Sequence, residues 1–82
     1  MIEQQVQAGW YWVNQSFMQY KNANGAMLAS IFGVGGVWSG HLFLNGKTVV
    51  TDPCDSTAEL AREHLSAAYE LATDERLSVV VF

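Results

Sequence analysis

The sequence predicts an α+β domain: an antiparallel sheet of four to five strands, one main amphipathic helix at about 57–73 on one face, and a C-terminal strand at about 77–82. Three observations lead there. Apolar runs between Ala26 and Thr51 are cut at Gly35-Gly36 and at Asn45-Gly46, both two-residue hairpin signals. A stretch with helical spacing then follows a capping sequence at Ser56. A β-branched run, Leu77-Ser78-Val79-Val80-Val81-Phe82, comes after it.

The N-terminal third reads two ways. Ile2, Val6, Trp10, Val13, Phe17 and Tyr20 recur at helical spacing. Gly9 and the cluster Trp10-Tyr11-Trp12-Val13 favour extended chain instead. A strand from about Trp10 to Tyr20 is the preferred reading, after a disordered or short helical start. Asn22-Ala23-Asn24-Gly25 supplies turn residues, and it also suits a helix C-cap. Strands are expected at Ala26–Val34, Val37–Leu44 and Lys47–Thr51. Asp52-Pro53-Cys54-Asp55 reads as a connection into the helix.

The helix is the clearest element. In Ser56-Thr57-Ala58-Glu59, Ser56 is expected to accept from the Glu59 amide while the Glu59 carboxylate reaches back. At 100° per residue, Leu60, Ala61, His64, Leu65, Ala68, Leu71 and Ala72 share one arc, and Glu59, Arg62, Glu63, Ser66, Glu70 and Thr73 share the other. The alanines allow close approach to a sheet.

The chain has 82 residues, the length of a single domain (1–82). A domain of this size buries only about 60% of the surface its unfolded chain exposes. Disulfides cannot supplement that core, because Cys54 is the only cysteine. A cysteine-rich metal site is excluded for the same reason, and no cofactor or metal motif is present. Charged residues make up 15% of the chain, against about 25% in typical domains. No apolar stretch is long enough to span a membrane. Met1-Ile2-Glu3-Gln4-Gln5 lacks the basic start of a secretion signal, so a cytoplasmic location is expected.

Charge is unevenly placed. Residues 1–51 hold Glu3, Lys21 and Lys47, whereas 52–82 hold Asp52, Asp55, Glu59, Glu63, Glu70, Asp74 and Glu75 against Arg62 and Arg76. A net charge of −4 with so few cations disfavours nucleic-acid binding.

Between Asn22 and Gly46 there is no charged residue at all. The two strands predicted there are apolar on both faces, with Trp38, Leu42 and Leu44 opposite Val37, His41 and Phe43. A sheet with one wet face alternates apolar and polar residues. One helix covers one face only, so a second body is expected on the other: a homodimer mate or another protein. Trp10, Trp12, Phe17, Tyr20, Trp38 and Phe43 are the expected interface residues.

Candidate chemistry is sparse. Cys54 precedes a helix N-terminus, where the dipole lowers a thiol pKa. His64 lies some ten residues further on, about 12–15 Å away at helical rise, beyond reach as its base. No catalytic residue is assigned, and the chain is not read as an enzyme. His41 and His64 are pocket candidates, on the alternative that helix and sheet enclose an apolar small-molecule site. Gly33-Val34-Gly35-Gly36 lacks the Gly-Lys-Ser/Thr close of a phosphate loop and reads as a turn.

The stretch from Leu28 to Ala72 resembles a pattern in small proteins of phages and mobile elements, where a short meander ends in a helix. Leu28-Ala29-Ser30-Ile31, Gly36-Val37-Trp38-Ser39-Gly40, Asn45-Gly46-Lys47 and Ser56-Thr57-Ala58-Glu59-Leu60-Ala61-Arg62 carry the resemblance. Double-stranded-RNA-binding domains and HicB-type antitoxins share a similar shape. This chain departs from the former, with Thr57 and Glu59 where they place lysines at the start of the last helix. In size and charge it is also similar to small acidic anti-CRISPR proteins. The resemblance implies a non-enzymatic interaction protein that occludes a partner surface or assembles with itself.

Overall fold

The structure, a computed structural model, describes residues 7–44 and 46–82, and for 49–55 the backbone only. Its elements are β1 (Gly9–Asn14), β2 (Phe17–Lys21), β3 (Met27–Val34), β4 (Val37–Leu44), β5 (Lys47–Asp55) and α1 (Ala58–Thr73). The strands form one five-stranded sheet in the order β1-β2-β3-β4-β5. Every neighbouring pair is antiparallel. This is the α+β architecture that the sequence predicts, with α1 packed on β3, β4 and β5.

The turns follow from the residues in them. Gly35 and Gly36 both take positive φ, 60° and 81°, the two-residue turn whose twist matches the flanking strands. Gly46 has φ 75°, while Asn45 lies outside the described residues. At the β2–β3 turn the Asn22 side-chain oxygen accepts from the Asn24 and Ala26 amides, and Gly25 takes φ 81°.

Four details depart from the sequence reading. The expected single strand Trp10–Tyr20 is a hairpin. The Asn14 side-chain oxygen accepts from the Ser16 amide at 2.8 Å, and this Asx turn reverses the chain between β1 and β2. The residues 52–55, expected as a connection, extend β5. Gly40 pairs with Thr51 and Trp38 with Asp55, so β5 carries extra residues there. Pro53, which has no amide hydrogen, falls within that irregularity, where a sheet tolerates it. The helix cap is Thr57 rather than Ser56, its hydroxyl accepting from the Leu60 amide at 3.1 Å. The segment at 77–82 joins the sheet through one parallel bridge, Trp10 with Val81. Two backbone bonds flank it, from the Trp10 amide to the Val80 carbonyl and from the Phe82 amide to the Trp10 carbonyl, both 2.8 Å.

Register places the core. Trp10 faces Tyr20, Tyr20 faces Ala29, and Ala29 faces Leu42 across four strands. Met18, Ile31 and Gly40 line up in the next row. These side chains point toward α1, whose Ala61, Leu65 and Tyr69 are buried against them. Gly40 permits the contact: a Cβ there would lie 2.8 Å from Leu65. Close packing at that point leaves Leu65 with no exposed surface, worth roughly 2 kcal/mol of burial.

The buried stripe of α1 is rotated from the predicted arc. Tyr69 is buried, whereas Leu60, His64, Leu71 and Ala72 are exposed. The chain after the helix explains the rotation. Asp74 caps α1 in the left-handed conformation, its amide donating to the Glu70 carbonyl. The chain then crosses the flank of α1, burying Leu77 and bonding the Ser78 amide to the Tyr20 hydroxyl at 2.8 Å. That flank, with Tyr69, is therefore the inner one.

Candidate functional site

Alternation along the strands gives the sheet a second face, turned away from α1. Tyr11, Gln19, Ser30 and His41 form one row across β1 to β4. Phe17, Phe32 and Ser39 form the next, with the Phe17 and Phe32 rings edge to face at 6.0 Å. Phe43 and Val37 extend the surface along β4. None of the described elements packs over it: α1 contacts the sheet from the other side. Phe32 keeps 42% of its surface exposed and Val37 43%.

One edge of this face is set by the final residues. The Phe82 ring stacks on Tyr11 at 4.7 Å and 15°. Gly9 makes room for it, since a Cβ there would come within 2.6 Å of the Phe82 ring. Lys21 also lies over the Tyr11 ring, its ammonium 5.6 Å from the ring centroid. Lys21 is the one charged side chain that strand alternation puts on this face among the described residues. The described carboxylates, Glu59, Glu63, Glu70, Asp74 and Glu75, lie on α1 or just after it.

The six predicted interface residues divide. Trp10 and Tyr20 are 1% and 4% exposed, edge to face at 5.4 Å inside the core, and so leave the candidate interface. Trp12 and Trp38 lie on the helix side, edge to face at 6.0 Å, with Trp38 packed over Gly33. Phe17 and Phe43 lie on the open face. Tyr11, Phe32, Val37 and Phe82 belong beside them and were not singled out from sequence. For Phe32 and Val37 the signal was present in strand parity, but only the register aligns them. For Phe82 there was none, because its place depends on the return of the chain to β1.

The pocket candidates are separated by the sheet. His41 is half-buried on the open face, beside Ser30. His64 is exposed on α1, on the other side. They do not line a common pocket, and Leu65 against Gly40 fills the space between helix and sheet. The side chain of Cys54 lies outside the described residues. Among the described residues no group of three His, Cys, Asp or Glu side chains is placed to hold a metal ion. Among them, no helix is long and apolar enough to cross a membrane.

A groove of about 380 Å³ runs along the outer flank of α1, between it and the returning chain. Glu59, Glu63, Glu70 and Arg62 line it, with Trp10 and Val79. Arg62 donates to the Met18 sulfur at 3.4 Å. Beyond that flank, burial pushes the Tyr69 phenol above its ordinary pKa, and the nearby Glu75 carboxylate adds to the rise. Comparison with family models, curated proteins and solved structures finds no match.

Proposed function

We propose that this protein is a non-enzymatic protein-interaction module that works through the open face of its sheet. One observation carries the reading: Phe17, Phe32 and Val37 lie together, with Phe43 further along β4, on a sheet face that no described element covers, while α1 packs on the other face. Exposed apolar patches of this kind on small soluble domains mark binding surfaces. Aromatic residues and few charges are the composition of interface cores. The function needs no reacting group, only shape and apolar area. The resemblance to small phage and mobile-element proteins supplies the setting of the proposal, a cytoplasmic protein that blocks or assembles with another.

Site-directed photo-crosslinking in cells tests the reading. A benzophenone amino acid replaces Phe32 in one version and the exposed Leu71, on α1, in another. Adducts with a polypeptide are expected from position 32 in clear excess over position 71. Equal or absent adducts at the two positions would remove the open face as a binding surface.

A further inference from the structure

Resting on that reading, we infer that the occupant of the open face is a second copy of this chain, packed sheet on sheet about a two-fold axis near Ser30. Ser30 lies mid-way along β3, the central strand, and is 6% exposed. Gln19 and His41 flank it across the neighbouring strands.

Area is the first argument. Five strands about 4.8 Å apart, each contributing about six residues at 3.3 Å, give a footprint of roughly 500 Å². Two such faces together remove about 1,000 Å² even before side-chain relief is counted. That reaches the lower bound for a specific interface. Face-to-face packing of two twisted sheets is the ordinary way to close such a surface.

Charge is the second argument, and it selects the partner. The chain carries −4, and its described carboxylates lie on or after α1, behind the sheet. A basic partner is steered to that acidic side, not to the open face. The open face suits a partner as uncharged as itself. Front-to-front packing separates the two acidic helices by three layers of about 10 Å, roughly 30 Å in all. That is several times the Debye length of about 8 Å at physiological salt, so the like charges do not oppose the contact. Packing through the helices would bring them together. Lys21, at the rim beside Tyr11, keeps access to water.

Light scattering on a sizing column, at protein concentrations of 1 to 100 µM, tests this. The expected mass is twice the 9.1 kDa of one chain. Phe32→Glu should weaken the dimer at least 100-fold, and Val37→Lys at least tenfold, with unchanged circular dichroism. Leu71→Glu should leave it intact. Raising salt from 50 to 500 mM should not dissociate it. A monomer at 100 µM would overturn the inference, as would a dimer that Leu71→Glu breaks and both open-face variants spare. If adducts still form at position 32 while the purified chain is monomeric, the partner is a different protein and only this inference falls. If both fail, the interaction reading falls with it.

Discussion

The two faces of the sheet use the same residue types for different ends. On the helix side, Trp10, Met18, Ile31 and Leu42 are at most 1% exposed, and Gly40 lets Leu65 reach the strands. On the open side, Phe17, Phe32, Val37 and Phe43 sit on the same strands with no described element packed over them. Apolar area stabilises a fold only where something covers it within the chain. The first set is therefore bound to stability, and the second is the one the proposed function assigns to association.

Substitutions on the two faces should separate these effects. Trp10→Ala should cost most, about 3–5 kcal/mol of unfolding free energy in a denaturant titration, because it empties a closed site. An unchanged midpoint would place Trp10 outside the core. Gly40→Val should cost about 1–3 kcal/mol by forcing Leu65 and α1 away from β4. Thr57→Ala should cost about 1 kcal/mol through loss of the helix cap, and Ser56→Ala much less, which distinguishes the two capping residues. The smallest effect is expected on the open face. Phe32→Thr should change the stability of the isolated chain by no more than about 0.5 kcal/mol, measured at nanomolar concentration. A loss comparable to that at Trp10 would erase the contrast.

Alkaline pH sharpens the same comparison. The Tyr69 phenol is raised by burial first and by Glu75 second, so the folded state favours its neutral form. Its contribution is fully present below the ordinary value of 10.0 and is lost as pH climbs through the higher folded value. Urea midpoints of the wild type should fall more steeply between pH 9 and 11 than those of Tyr69→Phe. Parallel profiles would mean that Tyr69 ionises alike in both states.

Much of the architecture was legible along the chain. Val37–Leu44 was bounded by two glycine turns, and β4 runs over those same residues. The span of α1 differs from the expected helix by one residue at its start, since the cap and the spacing are local features. The β1–β2 hairpin was missed because Asn14-Gln15-Ser16 carries no glycine; its turn is held by a side-chain oxygen instead. His64 was placed on the inner arc because spacing alone cannot say which flank of a helix a later segment will cover. At the candidate site, Phe17 and Phe43 were named, but Trp10 and Tyr20 were grouped with them in error.

That grouping marks the division between what the sequence determined and what the tertiary structure decided. Uncharged strands, turns with positive φ, a capped helix and an excess of apolar positions over one helix's reach are properties of neighbouring residues, and the chain alone determined them. Which aromatic faces which side depends on the register between strands and on where the chain returns after α1. A shift of one residue exchanges the faces of a strand, and only the assembled sheet chooses between them. Trp10 was closed in by Tyr20 and the returning segment, whereas Phe32, on the other face, stays 42% exposed.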